Sequence, residues 1–76
     1  MKPLPEEIIK KNIIDRLTNN DAVNINHIFV SIKDGVVHLQ GHVPSYSAKI
    51  EALRDATEVA KDFNVINNLQ VNFQPN

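Results

Sequence analysis

The stretch that decides the fold is Ile28–Val43, which reads IFVSIKDGVVHLQGHV. At its centre, Asp34-Gly35 predicts a two-residue β-hairpin turn. Glycine readily adopts the positive φ that a type I′ turn requires, and aspartate tolerates it. With these two residues as the loop, the predicted register places Lys33 opposite Val36, Ile32 opposite Val37, Val30 opposite Leu39 and Ile28 opposite Gly41.

The same register sorts the side chains of the hairpin into an apolar face and a polar face, because residues alternate between the two sides of a sheet. One face carries Ile28, Val30, Ile32, Val37, Leu39, Gly41 and Val43, and the other carries Phe29, Ser31, Lys33, Val36, His38, Gln40 and His42. Turn chemistry and hydrophobic pattern therefore agree on one register. On the apolar face, Gly41 is expected to let a helix approach the sheet closely, since it has no side chain.

Amphipathic helices are predicted on both sides of the hairpin. Pro5 suits the first position of a helix that ends near Thr18. The apolar stripe of this helix comprises Ile9, Ile13 and Leu17. Ser45 is a favourable N-cap for a second helix over roughly residues 46–61. The predicted buried row of the second helix comprises Tyr46, Ile50, Leu53, Thr57 and Ala60, with Ala56 beside it.

A last strand is predicted over about residues 64–73, and it completes the fold. One of its faces carries Val65, Asn67, Leu69 and Val71. Because an amide does not suit a core, Asn67 is expected at the rim of the strand. A right-handed crossover then gives an α+β fold of order αββαβ, with two helices packed on one face of a mixed three-stranded sheet. Residues 1–76 are expected to form a single domain, with a core over about residues 6–71 and short flexible ends.

The composition argues against several classes of protein. A net charge of −1 and a pI of about 6.2 argue against a nucleic-acid binder, which normally carries a basic excess. The chain has no cysteine, so disulfides and thiolate metal sites are excluded. No apolar run reaches the roughly 18 residues of a membrane-spanning helix. The first residues lack the charged-then-apolar pattern of a signal peptide, so none is predicted.

Taken together, these residues resemble the BON domain, a family named for bacterial osmotically inducible and nodulation proteins. The resemblance rests on Ile28-x-Val30-x-Ile32-x-Asp34-Gly35-x-Val37-x-Leu39-x-Gly41-x-Val43, then Pro44-Ser45-Tyr46, Ala52, Ala56 and Val65-x-Asn67-x-Leu69-x-Val71. With the first helix, which is also similar, it covers roughly residues 6–71. Where the family usually has a Gly-Val pair after its second helix, this chain has Lys61-Asp62, so the second helix is expected to run longer.

The resemblance implies a non-enzymatic, cofactor-free interaction domain of the bacterial periplasm or cell envelope. Peripheral association with a phospholipid surface is the leading hypothesis for its function. The alternative is a protein–protein or inter-domain docking module that uses the open face of the sheet, and an enzyme is a distant third. These hypotheses place different residues at the site.

For lipid, the candidates are the basic residues of the first helix, Lys10, Lys11 and Arg16, with Lys2 before it. Each charge near an anionic surface contributes about 1 kcal/mol. At 100° per residue, however, Arg16 lies about 240° beyond Lys10, so the three cannot all face one membrane plane. The pattern therefore predicts weak attraction that salt screens.

For docking, the candidates are the apolar residues predicted on the open sheet face, Phe29, Val36 and Ile66. A contiguous apolar patch of this kind is typical of an interface, whereas scattered exposed apolar residues are normal. Asp34, Gly35 and Gly41 are interpreted as turn and packing residues.

Two pairs of residues on the polar face of the hairpin are candidates for a metal site or a catalytic site. The register places His27 opposite His42, but zinc requires three or four ligands, and no third is predicted nearby. Ser31 lies opposite His38, but a catalytic triad also needs an orienting group and an oxyanion hole, and neither is visible. No catalytic or metal-binding residue is therefore predicted.

Overall fold

The computed structural model describes residues 5–71. In chain order these form α1 (Pro5–Thr18), a 3₁₀ turn (Ile25–His27), β1 (Ile28–Lys33), β2 (Val36–Val43), α2 (Tyr46–Val59) and β3 (Asn64–Val71). One sheet has the order β1-β2-β3, with β1 and β2 antiparallel and β2 and β3 parallel. The predicted α+β fold of order αββαβ is confirmed. The predicted flexible ends, and residues 72–73 of the predicted last strand, lie outside the described residues.

The hairpin has the predicted register, from the Ile28–Gly41 pair to the Lys33–Val36 pair. Asp34 and Gly35 both have positive φ, at 53° and 77°, as a type I′ turn requires. The tip of the hairpin is also bonded to two other elements. The Gly35 N–H donates to Oε2 of Glu6 at 3.2 Å, and the Gly35 carbonyl accepts from the Asn64 N–H at 3.1 Å. The turn therefore joins the first turn of α1 to the start of β3.

The sequence predicted that an α-helix approaches the sheet at Gly41. The segment that lies against Gly41 is instead the 3₁₀ turn. The 3₁₀ turn crosses the end of β2, and a Cβ on Gly41 would overlap the His27 carbonyl oxygen and lie 3.0 Å from the Ile28 Cα. Gly41 also has a φ of +125°, which side-chain-bearing residues rarely adopt. Asn24 caps the turn, since its side-chain oxygen accepts from the Asn26 N–H at 3.0 Å.

The hydrophobic core lies between the two helices and the sheet face that the alternation predicts. Its buried members are Ile13, Leu17, Ile28, Val30, Val37, Leu39, Val43, Ala48, Ala52, Ala56, Ala60 and Leu69. Ile9, from the predicted stripe of α1, packs half-buried against this cluster. Helix α1 packs on β1 and α2, and α2 packs on β2 and β3. The helices therefore form one layer, and no other element of residues 5–71 covers the second face of the sheet.

The predicted buried face of α2 is wrong. Tyr46 is 64% exposed and Ile50 is 44% exposed, while alanines at every fourth position fill the contact with the sheet. The small alanine side chain lets the helix backbone approach the strands closely. The chain thus buries its smaller apolar row and leaves the row with larger side chains outside. Thr57 is also exposed, Leu53 is half-buried, and Ala60 is buried as predicted.

Two expectations about the end of the chain also need correction. Asn67 lies within β3 and not at its rim: its Nδ2 donates to the Lys49 carbonyl of α2 at 3.3 Å, and its Oδ1 accepts from the Leu69 N–H at 3.2 Å. The amide is thus satisfied by α2 and by its own strand. Helix α2 ends at Val59 and does not run longer, because the chain turns at residues 61–62.

Candidate functional site

Lys10 is exposed on the wall of a shallow groove between α1 and β1. The other residues that line the groove are Glu6, Glu7, Ser31 and Ile32. Glu6 and Glu7 line the same groove, so Lys10 has two acidic residues as neighbours. Lys10 therefore offers an anionic surface a weaker attraction than an isolated lysine would.

Arg16 is engaged in a network that joins the two helices. Its guanidinium forms a salt bridge with Glu58, and its Nε lies 3.7 Å from Oδ1 of Asp55. The same Asp55 carboxylate accepts a hydrogen bond from Nδ2 of Asn20 at 2.9 Å. The acids lie 39 and 42 residues beyond Arg16 in the chain, so no local sequence pattern signals this pairing. The network neutralises the charge of Arg16.

Lys11 faces outward on α1 and, like Lys10, makes no salt bridge among residues 5–71. Within residues 5–71 both salt bridges involve Arg16, and the Lys11 side chain is exposed. Ile8 lies one helical turn before it, on the same side of α1, and is 46% exposed. The structure thus brings together an aliphatic side chain and a free ammonium group on the outside of α1.

The apolar residues of the open sheet face are separated from one another. Phe29 is 68% exposed on β1, and Ile66 is 42% exposed on β3. Between them lies β2, where Gln40 is paired with Phe29 and His38 with Ile66. The half-buried Val36 is the third predicted member, two residues along β2 from His38. Polar side chains therefore stand between Phe29 and Ile66.

The remainder of the open face toward the end of β2 is polar and uncharged. A shallow depression is lined by Gln40, Gly41, His42, Asn68 and Gln70. The parallel register explains it, since Gln40 is paired with Asn68 and His42 with Gln70. This surface offers hydrogen-bonding groups but no formal charge with His neutral.

His27 and His42 are not paired across the hairpin. The β1–β2 ladder ends at the Ile28–Gly41 pair, so His27, in the 3₁₀ turn, is not the cross-strand partner of His42 that the register suggested. No group of three potential metal ligands occurs within residues 5–71. Ser31 and His38 are cross-strand partners, as predicted, but the side-chain hydrogen bonds of the described residues include none between them.

The outer side of α2 carries exposed residues that the sequence analysis assigned to the core. Tyr46 and Ile50 lie one turn apart on the same side of the helix, and the exposed Arg54 lies one turn further. Their common four-residue spacing does signal a row, but the alanine row has the same spacing. The sequence pattern alone therefore does not decide which row faces the sheet.

Neither α-helix of the described residues has the length and apolar character needed to cross a membrane. Comparison with protein families gives a match to a family model described as BON domain, over residues 5–72 of the 76-residue chain. No curated protein gives a significant match. The family match covers all the elements described above.

Proposed function

Because the chain belongs to the BON domain family, we propose that it associates peripherally with anionic phospholipid surfaces of the bacterial cell envelope. The family match supports a non-catalytic binding domain as the class of function. The residues exposed on the outside of the helix layer support the choice of a lipid surface as the ligand.

The observation that carries the proposal is the pairing of Ile8 with Lys11 on the exposed side of α1. A bilayer boundary offers acyl chains beside anionic phosphates. An aliphatic side chain one turn from a free ammonium group matches that arrangement, because the long lysine side chain can reach toward the headgroups. Lys10 adds a second exposed ammonium group, with Glu6 and Glu7 lining the same groove.

The electrostatic part of this association is weak. Glu7 and Asp15 are also exposed on α1, and Arg16 is neutralised by α2. Each free cation near an anionic surface contributes about 1 kcal/mol, and physiological salt screens charges beyond about 8 Å. Stable attachment therefore requires a second signal, as it does for singly lipidated proteins.

The proposal predicts that the domain co-sediments with vesicles containing phosphatidylglycerol at low ionic strength, and that much of this binding is lost near physiological salt. Lys11→Glu should reduce the bound fraction at low salt several-fold, because it replaces an attractive charge with a repulsive one at the contact. The matched control is Lys33→Glu, which makes the same change of net charge at an exposed position on β1. It should bind as the unchanged domain does.

Three results would count against the proposal. Failure of the unchanged domain to bind at low salt would overturn it. Equal losses in the two charge variants would show that only net charge matters and that α1 is not the contact. A loss confined to Lys33→Glu would show that the end of the hairpin, and not α1, contacts the vesicle.

A further inference from the structure

The feature of α2 that calls for an explanation is the choice of the buried row. The helix buries Ala48, Ala52 and Ala56 completely, while Tyr46 and Ile50 remain 64% and 44% exposed. Burial of large apolar side chains is the main stabilising term in folding, at about 25 cal/mol per Å². The larger apolar side chains of α2 therefore add little to the stability of the fold and are available for contact with a ligand.

We propose that Tyr46, Ile50 and Arg54, the outer row of α2, enter the boundary region of the bilayer and supply the salt-resistant part of the association. This inference rests on the proposed function and identifies its second contact. Ile8 and Lys11 belong to the same helix layer, since α1 and α2 pack on one face of the sheet. A bilayer lying on that layer therefore meets both helices.

The chemistry of the row fits the bilayer boundary. A tyrosine ring is apolar and has a polar tip, which is why tyrosine is enriched at the headgroup level of membranes. Ile50, one turn on, supplies a purely apolar side chain. Within residues 5–71, Arg54 makes no salt bridge, and it lines a shallow depression together with Ile50 and Glu51. A guanidinium in this position can form bidentate bonds to a lipid phosphate.

The size of the row favours lipid over a stable protein partner. From Tyr46 to Arg54 the helix rises about 12 Å, and the row is one side chain wide. A standard protein interface buries about 800 Å² on each partner, far more than such a strip provides. Amphipathic helices at membranes, in contrast, insert their apolar side only about 5–10 Å deep. A narrow row with a cation at one end is sufficient for that.

The first test combines Tyr46→Ser with Ile50→Ser and measures co-sedimentation with phosphatidylglycerol vesicles at low and physiological salt. The unchanged domain should retain a bound fraction at physiological salt. The double variant should lose at least about tenfold in partition there, since burying one large apolar side chain contributes roughly that factor. Phe29→Ser is the control, because it removes a side chain that is 68% exposed on the opposite side of the molecule. It should leave binding unchanged.

Thermal unfolding of both variants, expected close to that of the unchanged domain, checks that the fold is retained. Equal binding by the double variant and the unchanged domain at both salts would overturn the assignment of the row. The effect of Lys11→Glu would then still support the proposed function. If the unchanged domain bound no vesicles at either salt concentration, the proposed function would be overturned. The assignment of the row as a lipid contact would then be overturned as well.

A second readout uses the chain as it is. Tyr46 is the single tyrosine, and the chain has no tryptophan, so tyrosine fluorescence reports on the row alone. Quenching of this fluorescence by acrylamide should fall at least about twofold when saturating vesicles are added, because an inserted ring is shielded from water. Unchanged quenching with the domain fully bound would show that Tyr46 stays in solvent, which contradicts the inference.

Discussion

Gly41→Ala is expected to lower the free energy of unfolding by about 3 kcal/mol or more, because strain and steric overlap of about 1–3 kcal/mol each combine at this position. The φ of +125° is unfavourable for any residue with a Cβ. The added Cβ would also overlap the His27 backbone, which cannot move without displacing the 3₁₀ turn. A domain of this size has a total stability of roughly 4–11 kcal/mol, so part of the population should be unfolded.

Gly35→Ala is the matched control, since it makes the same chemical change at the other positive-φ glycine. Gly35 has a φ of +77°, and a Cβ there would have nothing within 4 Å. Only backbone strain remains, so the expected loss is about 1 kcal/mol. Chemical denaturation of both variants measures the difference. Equal losses of unfolding free energy in the two variants would show that the His27 backbone does not lie close to Gly41 as described.

Ala52→Leu is expected to lower the free energy of unfolding by about 2–3 kcal/mol, because it forces extra carbon atoms into a filled contact. Ala52 is completely buried, at the centre of the alanine row of α2. A leucine there must push the helix away from β2 and β3 or adopt a strained rotamer. The substitution tests directly which side of α2 faces the sheet.

Ser47→Leu is the control, because it adds a larger apolar side chain at an exposed position of the same helix. A surface substitution of this kind is expected to change stability by about 0.5 kcal/mol or less. Denaturation midpoints of the two variants give the comparison. A stable Ala52→Leu domain would mean that the Tyr46 row, and not the alanine row, packs against the strands.

The hairpin was predictable because its signals are local and agree with one another. Asp34-Gly35 determines the turn, and the alternation of side chains independently requires the same register. The order of elements then leaves few ways to bury both helices. This accounts for the agreement between the predicted and observed pairing of β1 with β2.

The face of α2 was not predictable from periodicity, because Tyr46-Ile50 and Ala48-Ala52 both recur at helical spacing. A hydrophobic pattern favours the row with larger side chains, but close packing of the helix on the sheet selects the smaller one. The choice depends on the distance between two elements, which no single segment encodes.

Contacts between residues far apart in the chain could not be predicted from the sequence for the same reason. The salt bridge of Arg16 with Glu58 and the bond from the Gly35 N–H to Glu6 depend on how the elements pack. They also change the candidate site, since the pairing of Arg16 leaves Lys10 and Lys11 as the basic candidates of α1. The sequence could suggest basic candidates on α1, but only the packing shows that Arg16 is paired with acids of α2.

The proposed contact of the helix layer with a phospholipid surface can be measured directly by paramagnetic broadening of backbone amide signals. The isotope-labelled domain is added at low salt to nanodiscs whose phospholipids include one spin-labelled at the headgroup. Amides of Ile8, Lys11 and Ile50 should lose intensity, while those of Phe29 and His38 on the open sheet face should keep it. Broadening at Phe29 and His38 with α1 and α2 unaffected would contradict the account.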